Sequence, residues 1–145
     1  MQFKNPFPIA AVAFAAALAT TQVPAQENAK ESFAEIEKAF GFVPSFFADY
    51  PEHAVRGAWI LTRDLELAAD TALSPKVKSL INVAVGAQIP CRYCVFADTE
   101  AARAAGATER EIKEAVAQAA LTRHWSTILN GFQTDFDEFK AEFGE

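Results

Sequence analysis

The sequence predicts an all-α protein. No segment alternates apolar and polar residues with period two over a useful length, whereas apolar side chains recur every three or four residues in several stretches. Start signals stand ahead of two of those stretches. Ser74-Pro75 places an N-cap serine before a proline at the first helical position. Thr108 with Glu111 forms a capping box.

Taken in order, Asn28 to Phe40 reads as the first helix, with Phe33, Ile36, Glu37 and Phe40 spaced along one stripe. The segment "GFVPSFFADYP", Gly41 to Pro51, breaks it, and its Phe42, Val43, Phe46 and Phe47 call for burial. Glu52 to Ala69 reads as a second helix. The helix after Ser74-Pro75 runs from Lys76 to about Ala87, is nearly apolar from Leu80 on, and is expected to be central. Pro90 resets the chain, and Cys91 to Ala105 follows as an alanine-rich helix closed by Gly106. The capping box opens a helix to about Asn130, which Gly131 is expected to end. A last helix carries Phe132, Phe136, Phe139 and Phe143 on one side, as packing or an oligomer seam.

The first 25 residues have a different character. One lysine, Lys4, precedes an uncharged apolar run from Ile9 to Leu18, and Val23-Pro24-Ala25 offers small residues where a signal peptidase reads. That layout predicts a secretory signal over 1–25, a single mature domain over 26–145, and a periplasmic location. A chain of 145 residues that is 51% hydrophobic can support one packed core, and a formal charge of -6 argues against nucleic acid or an anionic membrane as partner. No stable membrane span is expected once the signal is removed.

The only two cysteines, Cys91 and Cys94, stand at the start of one helix. A bridge between residues this close shuts a very short loop, so stapling the fold is a weak purpose for it. Haem attachment needs a histidine directly after the second cysteine, and Val95 is there. Zinc prefers four ligands, and Cys91, Cys94, Asp98 and one of His53 or His124 would be an unusual set. Reversible dithiol chemistry fits better. It needs adjacent sulfurs near a helix N-terminus, where free amides and the dipole favour thiolate, and Arg92 adds positive charge beside them. No Gly-rich phosphate loop is present, and neither cofactor nor metal is expected. Asp98 lies one helical turn beyond Cys94. His124, in "LTRHWSTILNG", is a second candidate base, against the plainer reading of a surface or subunit-contact histidine. His53 is expected at the surface, and Trp125 in a core.

The stretch "SPKVKSLINVAVGAQIPCRYCVFADTEAARAAGATEREIKEAVAQAA" resembles the carboxymuconolactone decarboxylase-like family, in its alkylhydroperoxidase D-like branch. The likeness rests on the Ser-Pro-started helix, the Cys-x-x-Cys at the next helix, the "AAR-AGAT" stretch and the "T-E-x-E-I-x-E-A" helix. "FGFVPSFF" is similar to the peroxidase-related members. The resemblance implies a helical bundle assembling as trimers or hexamers, with hydroperoxide or disulfide as substrate and an external thiol as reductant. It implies that Cys94 attacks the peroxide and Cys91 then forms the disulfide. Two relay positions depart from the pattern. Asp98 stands where the family has histidine, four residues after the second cysteine, and Ser79 stands where it has glutamate, twelve before the first. Cys94, Cys91, Asp98 and His124 are therefore the candidate catalytic residues. The lost histidine and glutamate keep two alternatives open: a non-peroxidatic binding or assembly module, and a decarboxylase-like enzyme of the same fold.

Overall fold

The computed structural model describes residues 25–144, and among them every regular element is helical. The elements are α1 (Ala25–Phe40), α2 (Ser45–Ala48), α3 (Val55–Leu61), a π-helical turn (Thr62–Leu67), α4 (Pro75–Gln88), α5 (Arg92–Ala104), α6 (Glu109–Gly131) and α7 (Phe136–Glu142). The all-α expectation holds. The expected secretory signal lies outside the described residues. None of the described helices is long and apolar enough to cross a membrane. The chain divides into two compact units, 1–56 and 57–145, with the division inside α3.

In the first unit α1 buries Ala29, Ser32 and Ile36, while Glu37 is exposed and Phe33 half-buried. The buried seam is thus rotated from the expected stripe. Ser32 can occupy it because its hydroxyl donates to the Asn28 carbonyl at 2.7 Å, leaving no unpaired polar group. Arg56 faces the same helix and pairs with Glu35 at 2.8 Å. Gly41 ends α1 at φ 80°, a conformation glycine adopts freely, with its amide on the Glu37 carbonyl at 2.7 Å. Of the aromatic cluster, Phe47 is buried, but Phe42 and Phe46 are exposed. A single turn such as α2 aims adjacent residues in different directions, so it cannot bury both Phe46 and Phe47.

In the second unit, the helix expected over Glu52 to Ala69 is instead α3 followed by the π-helical turn, which ends at an extended Ala68. A π-turn takes in an extra residue and changes the direction in which the following side chains point. Lys78 secures this turn. The residue is only 7% exposed, and its ammonium donates to the carbonyls of Leu65 at 2.6 Å and Ala68 at 2.7 Å.

Helix α4 is central, as expected: it contacts the π-turn, α5 and α6. Ser74 caps it by accepting from the Val77 amide at 3.3 Å. Val83 of α4, Ala102 of α5 and Ile112 of α6 form the buried cluster, with Leu80 and Ala107 against it. The capping box is present: the Glu111 amide donates to the Thr108 hydroxyl at 3.2 Å, and the Thr108 amide to the Glu111 carboxylate at 2.7 Å. The Glu111 carboxylate also takes a hydrogen bond from Lys76 at 2.8 Å, joining the starts of α4 and α6. That bond is the chief reason its pKa is drawn down to about 2. Helix α6 runs through Gly131 rather than stopping before it, and the left-handed residue beyond its end is Gln133 at φ 55°. Trp125, expected in a core, is 52% exposed on α6. The last helix starts at Phe136 rather than carrying Phe132, which caps the end of α6; Phe132, Phe136 and Phe143 are 75%, 69% and 75% exposed among the described residues, and Phe139 is half-buried.

Candidate redox site

Cys91 is the N-cap of α5, and Cys94 lies in the first turn. Their sulfurs are joined at 2.01 Å, with the two Cα atoms 5.3 Å apart. The Cys91 sulfur accepts from the Cys94 amide at 3.2 Å. It therefore sits where the unpaired amides of a helix start point, a position that favours negative charge on sulfur once the bond is reduced. The Cys91 amide is tied to the Gly86 carbonyl of α4 at 2.9 Å. Gly86 lets the two helices close on each other: a Cβ there would fall 3.1 Å from the Cys94 Cβ and 3.3 Å from the Val95 amide nitrogen. The sequence carries a glycine at this place because a larger residue would push the Cys94 turn off α4.

Cys91 opens onto a cavity of about 650 Å3, lined also by Arg92, Val95, Phe96, Thr99 and Arg103. The Arg92 guanidinium stands 4.8 Å from the centre of the Tyr93 ring and donates to its hydroxyl at 2.9 Å. Cys94 is half-buried on the side that packs against Gly86.

Asp98 is half-buried one turn beyond Cys94 on α5. Burial, and next the negative charge of Glu66, raise its pKa above the usual carboxylate value, while a hydrogen bond from Asn82 opposes the rise. The Asn82 carboxamide also donates to the Glu66 carboxylate at 2.9 Å. Asn82 of α4 is thus bonded to a carboxylate of the π-turn and acts on the Asp98 carboxyl of α5. Spacing along the sequence does not reveal Glu66 or Asn82 as partners of Asp98. The available signal was the lone amide in the otherwise apolar run "LINVAVGA".

Among the candidates, Cys91, Cys94 and Asp98 share one helix start. His124 is exposed on α6, its ring edge-on to Trp125 at 5.1 Å between centroids. Among the described residues no hydrogen bond or ion pair joins it to the cysteines or to Asp98. Its neighbour Arg123 reaches Gln88, at the end of α4, at 2.8 Å. Ser79 is buried on α4, and His53 is exposed. Among the described residues no cluster of three His, Cys, Asp or Glu side chains could hold a metal ion.

Fold and site together define an all-helical protein with a close-spaced disulfide at a helix mouth, open on one side to a cavity. The chain belongs to the carboxymuconolactone decarboxylase family, whose model matches residues 54–134. Among solved structures it is similar to the alkylhydroperoxidase AhpD core of Rhodospirillum rubrum, with a TM-score of 0.68 and 23% identity over 79% of this chain and 87% of that one. At that identity the likeness speaks for the fold. No curated protein matches the chain.

Proposed function

We propose that this chain is a thiol-dependent peroxidase that cycles the Cys91–Cys94 pair between dithiol and disulfide. The observation that carries the reading is the pair itself, bridged at the N-terminus of α5 with Cys91 facing a cavity. In the reduced protein the Cys94 thiol gives up its proton and the thiolate attacks one peroxide oxygen. An S–O bond forms and the O–O bond breaks. The alkoxide leaves with a proton as alcohol, and Cys94 becomes a sulfenic acid. The Cys91 thiolate then attacks the Cys94 sulfur, closing the disulfide and expelling hydroxide, which takes up the Cys91 proton and departs as water. Two electrons have passed from the two thiols to the peroxide. An external dithiol restores the pair by attack on Cys91, the sulfur open to the cavity, and is itself left as a disulfide.

Stopped-flow mixing of the reduced protein with cumene hydroperoxide tests this. The expected result is oxidation of the pair much faster than that of free cysteine under the same conditions. Oxidation no faster than free cysteine would remove peroxide from the reading and leave dithiol–disulfide exchange alone.

We also propose that the chain works as a homo-oligomer. The exposed apolar side chains of Leu121 and Trp125 on α6, Phe132 at its C-cap, Phe136 on α7 and Phe143 at the C-cap of α7 support this. Sedimentation equilibrium should give a mass two or more times that of the chain, and a monomer mass at tens of micromolar would rule it out.

A further inference from the structure

The charges around the cavity at Cys91 are uneven. Arg92, Glu100 and Arg103 line it together with Cys91, Val95 and Phe96. The Arg103 guanidinium is held by two carboxylates: it pairs with Glu100 and donates to Glu109 at 2.6 Å. The acid of the lining, Glu100, is therefore already matched. Arg92 is not. Among the described residues it forms no salt bridge; its guanidinium rests 4.8 Å from the centre of the Tyr93 ring and donates to the Tyr93 hydroxyl at 2.9 Å. A guanidinium carries five N–H donors in a planar fork, so most of them stay available beside the sulfur. The chain as a whole has a formal charge of -6, so this positive rim is local and not the general character of the molecule. Val95 and Phe96 give the same cavity an apolar wall. Its volume of about 650 Å3 lies in the range of pockets that hold small organic molecules.

We propose that the donor which reopens the Cys91–Cys94 bond is a small thiol bearing a carboxylate, its sulfur directed at Cys91 and its carboxylate held by the Arg92 fork. The inference rests on the dithiol–disulfide cycle of the proposed function and names the class of its electron donor. A guanidinium takes a carboxylate through two parallel N–H···O bonds. Arg92 directly follows Cys91, and consecutive Cα atoms are about 3.8 Å apart. A donor held at Arg92 therefore reaches the Cys91 sulfur when only a few carbons separate its two functional groups, and the apolar wall suits those carbons.

The step balances as two exchanges. The donor thiolate attacks the Cys91 sulfur, the Cys91–Cys94 bond breaks, and Cys94 leaves as thiolate and takes up a proton. A second donor thiolate, on the same molecule or another, attacks the donor sulfur of the mixed disulfide. Cys91 is released and protonated in turn. Two electrons and two protons have passed from the donor thiols to the pair, and the donor departs as a disulfide.

The test needs no peroxide. The oxidised protein is reduced separately with 3-mercaptopropionate, 2-mercaptoethanol and cysteamine, which carry a carboxylate, a hydroxyl and an ammonium on short chains. Each rate is divided by that of the same thiol on hydroxyethyl disulfide at the same pH, which removes differences in thiolate fraction and nucleophilicity. The corrected rates should fall in the order acid, alcohol, amine, with the acid about 3-fold ahead of the alcohol, the scale of one exposed charge pair. The preference should shrink as salt is raised. Arg92→Gln should bring acid and alcohol to equal corrected rates, and Arg92→Lys, which keeps a charge without the fork, should retain part of the preference. An arginine that only packs, or that helps every thiolate alike, would change the three rates together and leave their ratios alone. Equal corrected rates in the wild type, or a preference that Arg92→Gln leaves intact, overturn the inference while the cycle stands. Should Arg92→Gln not fold, a wild-type preference that salt does not reduce, or that Arg92→Lys leaves at its full size, overturns it equally. A pair that none of the three thiols reduces overturns the cycle itself.

Discussion

The Cys94→Ser variant is expected to lose hydroperoxide reduction by several orders of magnitude, whereas Cys91→Ser should keep the first step and stop there. A serine hydroxyl at position 94 offers almost no oxyanion at neutral pH and cannot stand in for a thiolate. With Cys91 replaced, Cys94 still attacks, but no second sulfur resolves the sulfenic acid. One peroxide per chain should then be consumed and one sulfenic acid accumulate on Cys94, where dimedone would trap it and peptide mass spectrometry would locate it. Two features of the site make this more than a formality. Cys91 is the sulfur on the helix-start amide and the one facing the larger cavity, whereas Cys94 is packed towards Gly86. Those features alone would suit Cys91 as the attacking sulfur; the assignment of Cys94 comes from the family resemblance and from Asp98 one turn away. A dimedone adduct on Cys91 in the Cys94→Ser protein, with none on Cys94 in the Cys91→Ser protein, would reverse the two roles. Loss of the fold is not expected to cloud the result. By the chain-entropy relation a bridge closing so short a loop is worth at most about 2 kcal/mol.

What was legible in the sequence was what local chemistry determines. Ser74-Pro75, the Thr108–Glu111 box and the cysteine pair at a helix start each involve residues within one turn of one another, and each stands where the spacing put it. The nearly apolar run from Leu80 on marked α4 as central, and periodicity marked the helices themselves. It failed where the backbone departs from 3.6 residues per turn or where distant elements decide. The π-turn lies inside a stretch that reads as unbroken helix, because a π insertion has no residue signature of its own. Nothing in the sequence marks Lys78 for burial, since the two carbonyls that receive its ammonium belong to the preceding turn. Asp98 was found by its offset from Cys94, but Glu66 and Asn82 lie 32 and 16 residues before it and are joined to it only by the packing of three elements. The exposed Phe42, Phe46 and Trp125 show a further limit: an aromatic residue in a sequence announces burial without saying whether the same chain provides it.

Lys78→Met is expected to destabilise the second unit by about 2–4 kcal/mol, the range for removing charge-assisted hydrogen bonds and leaving their partners unsatisfied. Methionine matches the length of the lysine stem and keeps its packing, so the loss isolates the ammonium. Without it the carbonyls of Leu65 and Ala68, now bonded at 2.6 and 2.7 Å, face the end of the π-turn with no donor. That end is where a helix carries its partial negative charge, so the cation also serves there as a counter-charge. The lowered midpoint should appear in urea unfolding with an unchanged slope. Amide exchange in the Thr62–Ala68 segment should speed up more than in the α4–α5–α6 core, because the turn has lost its clasp and the Val83–Ala102–Ile112 cluster has not. Lys78→Arg, which retains a cation, should recover part of the loss where its bulkier head can reach either carbonyl. A Lys78→Met protein with the wild-type midpoint would mean that the clasp contributes nothing net, and that the π-turn is held by its own backbone and by the Thr62 hydroxyl, which donates to the Ala58 carbonyl at 2.9 Å.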